Sequence, residues 1–106
     1  MYRPEVTTKQ SANAMTEHAD AASKLLKALA NEKRLMILCS LAEGELSVGA
    51  LNERIDLSQS ALSQHLAKLR EDEMVITRRE SQTIYYSLAS DQIRQIIELL
   101  HTMYCR

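Results

Sequence analysis

Between Ser58 and Arg70 the chain reads Ser-Gln-Ser-Ala-Leu-Ser-Gln-His-Leu-Ala-Lys-Leu-Arg, and wound at 3.6 residues per turn this segment separates into two faces. Leu62, Leu66 and Leu69 form one narrow apolar stripe. Ser60, Ser63, Gln64, Ala67 and Lys68 point the opposite way, with a base at the C-terminal end. Ordinary solvated helix faces carry long Glu and Lys. Short Ser, Gln and Ala instead let a backbone approach base edges closely, and glutamine can pair with adenine, so the face suits a DNA groove. A polar face is weak evidence by itself, and its neighbours strengthen it: a short helical segment just upstream and a two-stranded hairpin just downstream.

A chain of 106 residues, 45% of them apolar, can bury one modest core, and stability at this size favours a dimer. Phe and Trp are absent and Gly and Pro are scarce, so the core must be built from Leu, Ile, Met and Ala, a composition that favours helices. The net charge of −1 argues against a strongly basic DNA binder. Most bases nevertheless lie within the presumed folded unit, and Glu71-Asp72-Glu73 falls beyond the proposed reading face. The expectation is moderate, salt-sensitive binding that needs two subunits. No apolar run approaches the ~20 residues of a membrane span, and the N-terminus lacks the apolar core of a secretory signal, so a cytoplasmic protein without a membrane partner is expected. There is no Gly-rich phosphate loop or Ser-His-Asp order, and His18, His65 and His101 belong to different elements. Nothing here suggests an enzyme.

Residues 1–15 show no periodicity and contain the only proline, so they are expected to form a flexible N-terminal arm, with 16–106 the folded domain. Thr16 is placed to cap a first helix carrying Ala22, Leu25, Leu26 and Leu29. Asn31 caps a second, buried on most sides through Leu35–Ala42 and ending at Gly44. A short third helix follows Ser47, and Asp56-Leu57 turns into the segment that begins at Ser58, giving helix, tight turn, helix. Met74–Arg79 and Thr83–Leu88 are β-branched or aromatic runs joined by Glu80-Ser-Gln82, a hairpin signal of moderate strength because the turn has no Gly or Asn-Gly. Adjacent Arg78 and Arg79 point to opposite faces of their strand, as do Tyr85 and Tyr86. Ser90-Asp91 opens a last helix striped with Ile93, Ile96, Ile97, Leu100 and Tyr104 and widened by Leu99 and Met103. That is more apolar surface than one small core requires, and on the first and last helices it fits a homodimer interface. The fold class is mainly α with a β-hairpin wing, in the order α-α-α-α-β-β-α, a winged helix-turn-helix.

In that order, Leu26–Leu38, Glu45–Leu51 and Leu57–Arg70 resemble the ArsR/SmtB family of bacterial repressors, over a match from about Thr16 to Cys105. The resemblance implies a dimer whose fourth helices enter successive major grooves of an imperfect palindromic operator in double-stranded DNA, with wings reaching the flanking minor groove or phosphates. The candidate contact residues are Ser58, Gln59, Ser60, Ser63, Gln64, His65, Lys68 and Arg70 from the helix, and Arg78 and Arg79 from the wing. His65 lies at the flank of the face, where it either contacts DNA or merely edges the groove. Two departures define the branch. Where many members carry Cys-x-Cys on the third helix, this chain has Ser47 and Gly49, and Asp91 and His101 on the last helix lack the further ligands of a tetrahedral site, so neither metal nor cofactor is expected. Glu73 stands where the family usually ends the helix with glycine, at a cost in capping.

The two cysteines are too few and too far apart for a zinc ribbon, and a reducing compartment keeps them as thiols. Cys39 shares a helical face with Leu35, Leu38 and Ala42, where a cysteine is by default a small core hydrophobe. Their placement, Cys39 in the second helix and Cys105 at the end of the last, resembles the thiol-based branch of the family. That resemblance implies that a disulfide or a bridge of extra sulfur atoms between them releases DNA, under oxidants or persulfides. Three other readings stay open: a constitutive DNA-binding regulator that displaces another repressor, a metal-responsive repressor, and a dimerisation module without DNA binding.

Overall fold

The computed structural model describes residues 4–105, with side chains from Ala14 onward. Five helices and three strands follow in the order α1 (Pro4–Leu29), α2 (Glu32–Leu41), β1 (Leu46–Ser47), α3 (Val48–Arg54), α4 (Gln59–Glu71), β2 (Val75–Glu80), β3 (Thr83–Leu88) and α5 (Asp91–Tyr104). The first helix departs from expectation: it starts at Pro4, not at Thr16, so most of the segment read as an arm is helical. Proline at a helix's first position gives up no hydrogen bond, and neither glycine nor a further proline interrupts the chain before Gly44. Missing apolar periodicity is not missing structure. Residues 1–3, the rest of the expected arm, lie outside the described residues.

Four helix starts follow the sequence signals. Asn31 Oδ1 accepts from the backbone N–H of Lys33 at 3.0 Å and of Arg34 at 3.1 Å. Ser47, Ser58 and Ser90 cap α3, α4 and α5 by accepting from Ala50, Ala61 and Ile93. The end of α2 differs from expectation, because the helix stops at Leu41 and Gly44 belongs to the following turn. There its φ of +149°, which side chains disfavour, redirects the chain into β1.

Ile37, Leu38 and Leu41 of α2, Leu51 of α3, the Leu62, Leu66 and Leu69 stripe of α4, and Ile93 and Ile97 of α5 make one continuous core with Met74, Val75 and Leu88. The turn between α3 and α4 is tied by Asn52, whose amide nitrogen donates to the Leu57 carbonyl at 2.8 Å. At the other end of α4, Glu73 takes φ +60°, its N–H donates to Arg70 O, and Met74 N–H donates to Leu69 O at 2.8 Å. This is the Schellman arrangement, and the buried side chains of Leu69 and Met74 complete it.

β2 and β3 pair antiparallel in a register that sets Arg78 opposite Tyr85 and Glu80 opposite Thr83. Ser81, first of the two turn residues, has φ +60°, the backbone sign that a type II′ turn asks of glycine. β1 had not been expected. It adds a third strand, order β1-β3-β2, through Leu46 opposite Tyr86 and Ser47 opposite Tyr85, and so joins the wing to the start of α3. Leu26 of α1 and Leu99, Met103 and Tyr104 of α5 remain exposed. Among the described residues no helix is long and apolar enough to cross a membrane.

Candidate nucleic-acid interface

Because Leu62, Leu66 and Leu69 are buried on α2 and α3, the opposite face of α4 is turned outward. Ser58, Gln59, Ser60, Ser63, Gln64, Lys68 and Arg70 are all exposed, and His65 is half-buried at the flank. Ser58 has its oxygen engaged in capping α4, which leaves its hydroxyl proton to donate outward. Ser63, Ala67 and Arg70 meet Val48 and Tyr86 around an open cleft of about 480 Å³ between α4, α3 and the sheet. The helix and the wing therefore form one surface.

The bases on that surface are unequal. Lys68 is held by Glu71 at 3.2 Å and Asp72 at 3.5 Å, and the hydrogen bond to Glu71, followed by the charge of Asp72, pushes its pKa above the ordinary lysine range. Arg78 is engaged further: Nε and Nη2 donate to the two oxygens of Glu45 at 3.2 and 2.5 Å, Nη1 donates to Glu80 at 3.0 Å, and the guanidinium lies 4.8 Å from the centre of the Tyr85 ring. Those hydrogen bonds raise Arg78 further, and the one from Arg78 holds the Glu45 carboxyl below the usual range. Arg70 and Arg79 are exposed and form no ion pair among the described residues. Sequence reasoning listed Arg78 beside Arg79 as an available base and missed both Glu45 and Asn52. Glu45 lies 33 positions from Arg78, and only the β1 pairing brings it near.

Both cysteines are free thiols. Cys39 is half-buried against the core, whereas Cys105, the C-cap of α5, is exposed. Burial pushes the Cys39 thiol up, and the charge of an ionised Cys105 adds to the effect, so the end of α5 lies within electrostatic reach of α2. A second tie between these helices comes from Arg94 of α5, whose Nη1 donates to the Ala42 carbonyl at the end of α2. Asp91 and His101 sit at opposite ends of α5. Among the described residues no three His, Cys, Asp or Glu side chains converge as metal ligands.

A helix-turn-helix braced by α2 and α5 and followed by a β-hairpin is the architecture of a winged helix. Residues 31–77 match the family model described as bacterial regulatory protein, arsR family. Transcriptional activator HlyU of Vibrio cholerae is 56% identical over 92 residues, covering 87% of this chain and 85% of that protein. The biofilm growth-associated repressor of Agrobacterium fabrum is 47% identical, covering 87% and 79%. The solved structure of reduced HlyU from Vibrio cholerae superposes with a TM-score of 0.83 at 56% identity, over 88% of this chain and 98% of that one. The chain belongs to the ArsR family, whose members are transcriptional regulators and not enzymes.

Proposed function

We propose that this protein is a dimeric, sequence-specific DNA-binding transcriptional regulator whose affinity for its operator is set by the Cys39 and Cys105 thiols. The observation that carries the DNA reading is the outward face of α4, built from Gln59, Ser60, Ser63 and Gln64 beside the wing, with no bulky side chain in the way of a base edge. Ser63 and Gln64 read bases, Ser58 and Arg70 meet phosphates at the two ends of α4, and Arg79 reaches a phosphate from the wing. His65 and Lys68 border the contact. The exposed Leu26, Leu99, Met103 and Tyr104 supply the apolar faces through which a second copy packs by the first and last helices. Two copies present two fourth helices to an imperfect palindrome.

The thiol reading rests on the packing of α2, which carries Cys39, against α5, which ends at Cys105, and on the unequal exposure of the two thiols. Exposed Cys105 meets the oxidant first. Its thiolate takes the terminal oxygen of a peroxide to form a sulfenic acid, and hydroxide leaves. The Cys39 thiol then displaces that hydroxyl as water, closing an S–S bond between α2 and α5. A persulfide donor instead transfers its outer sulfur to each cysteine thiolate and leaves as a thiolate; the Cys39 persulfide then attacks the Sγ of the Cys105 persulfide, hydrosulfide leaves, and the bridge contains three sulfurs.

The test is binding to a duplex selected from a random-sequence pool, at fixed salt, for reduced, peroxide-treated and persulfide-treated protein with Cys39→Ser and Cys105→Ser alongside. The expected result is loss of binding in treated wild type and in neither variant. Equal binding throughout would leave a constitutive regulator with two ordinary cysteines. The relatives include both a named activator and a named repressor, so the sign of regulation does not follow from kinship.

A further inference from the structure

We propose that Glu45 is an electrostatic brake on the wing: it holds Arg78 back from the DNA backbone and keeps sequence-independent affinity low. This rests on the DNA-binding reading above. The sheet fixes the arrangement. Ser47 pairs with Tyr85 and Tyr85 pairs with Arg78, so the three strands carry these residues in one row, with Glu45 entering two residues before Ser47. Gly44, with its φ of +149°, sets the direction from which Glu45 arrives. The Arg78 guanidinium then lies against the Tyr85 ring with one edge forked by Glu45 and a third nitrogen held by Glu80.

One positive and two negative groups leave the Arg78 position with a local charge of −1 where the wing would approach phosphate. A phosphate arriving there must replace a carboxylate already bonded in fork geometry. The exchange swaps one charge-assisted pair for another and yields little affinity. Arg79, whose charge is not matched in this way, is the wing's working base.

Glu45→Gln is the informative change, because an amide oxygen still accepts one of the two guanidinium bonds, Glu80 and the Tyr85 ring keep their hold on Arg78, and the charge of residue 45 is removed. The measurement is the dissociation constant for the selected operator duplex and for an unrelated duplex of equal length, across a salt series, for wild type, E45Q, R78Q and E45Q/R78Q. E45Q is expected to bind both duplexes tighter by roughly 3–10-fold near 0.1 M salt, with the log–log salt slope steeper by about 0.9 for each Arg78 that reaches a phosphate. Because a phosphate contact carries no sequence information, the operator-to-unrelated ratio should stay constant. In the R78Q background the gain should vanish.

Equal or weaker binding by folded E45Q would overturn the brake and make Glu45 a strut that positions the wing. A gain of the same size in the R78Q background would overturn it too, by showing general charge removal. Wild type that selects no duplex at all would fail the DNA-binding reading itself, a different outcome from wild type that binds and E45Q that matches it.

Discussion

Glu73→Gly should stabilise the domain. Glu73 is exposed, makes no side-chain hydrogen bond or ion pair among the described residues, and is held at φ +60° because the Schellman bonds at the end of α4 require it. An L-residue pays roughly 1–2 kcal/mol for left-handed backbone, and glycine gives back about 0.4–1 kcal/mol through the greater freedom of the unfolded chain. The net expected gain is about 0.5–1 kcal/mol, which for a domain of this size raises Tm by roughly 3–6 °C. The assay is thermal unfolding by circular dichroism at matched protein concentration, since dimerisation shifts Tm. Glu73→Ala is the control: it removes the same carboxylate from the C-terminal end of α4 but keeps the Cβ, so it should recover only the small dipole contribution. A Glu73→Gly variant melting at or below Glu73→Ala would refute the reasoning.

Replacing Ser63 and Gln64 together with alanine should weaken operator binding at least about tenfold with Tm unchanged, since each well-made base contact contributes ~1–3 kcal/mol; titration of the selected duplex measures this. Leu99→Glu places a charge on the exposed stripe of α5 and should convert a dimer into a folded monomer, read by analytical ultracentrifugation. Alkylation followed by mass spectrometry should modify Cys105 well before Cys39 at neutral pH, and Cys39 should catch up as the pH rises. The raised Cys39 thiol has a matching stability effect. Its contribution is complete below the ordinary thiol range and is lost as pH climbs through the folded-state value, so wild type should lose more stability than Cys39→Ser on going to strongly alkaline pH.

What could be read in advance was whatever local chemistry dictates. Asn31, Ser47, Ser58 and Ser90 each cap a helix because a side-chain oxygen next to an apolar run satisfies an orphan N–H, and that signal is complete within four residues. The α4 stripe and its outward polar face likewise need only their own spacing. Features created by tertiary pairing were not legible. β1 is two residues long and exists because β3 offers it a partner, and Glu45 meets Arg78 only once that pairing has formed. The misplaced start of α1 has another cause. Periodicity reports the burial of a helix face, and the segment from Pro4 to Met15 carries no apolar stripe for that signal to detect. The turn at Ser81 gives a hairpin signal of only moderate strength because it lacks glycine, and the chain adopts the glycine-like angle there all the same.

Asn52 secures the front of α4, the Schellman turn secures its back, and β1 fastens the wing to α3, so the reading surface of one subunit is a single solid piece. A solid piece has no internal joint to bend. In the proposed dimer, control must therefore come from how the two pieces are mounted, and the geometry gives high leverage. With fourth helices about 34 Å apart, each sits roughly 17 Å from the twofold axis, and every degree of subunit rotation carries it ~0.3 Å across the duplex or away from it. A turn of about 10° displaces it by ~3 Å, about a quarter of the ~12 Å width of the major groove. A bond between α2 and α5 needs only to tilt the mounting by that much for two intact reading heads to fall out of step with their half-sites.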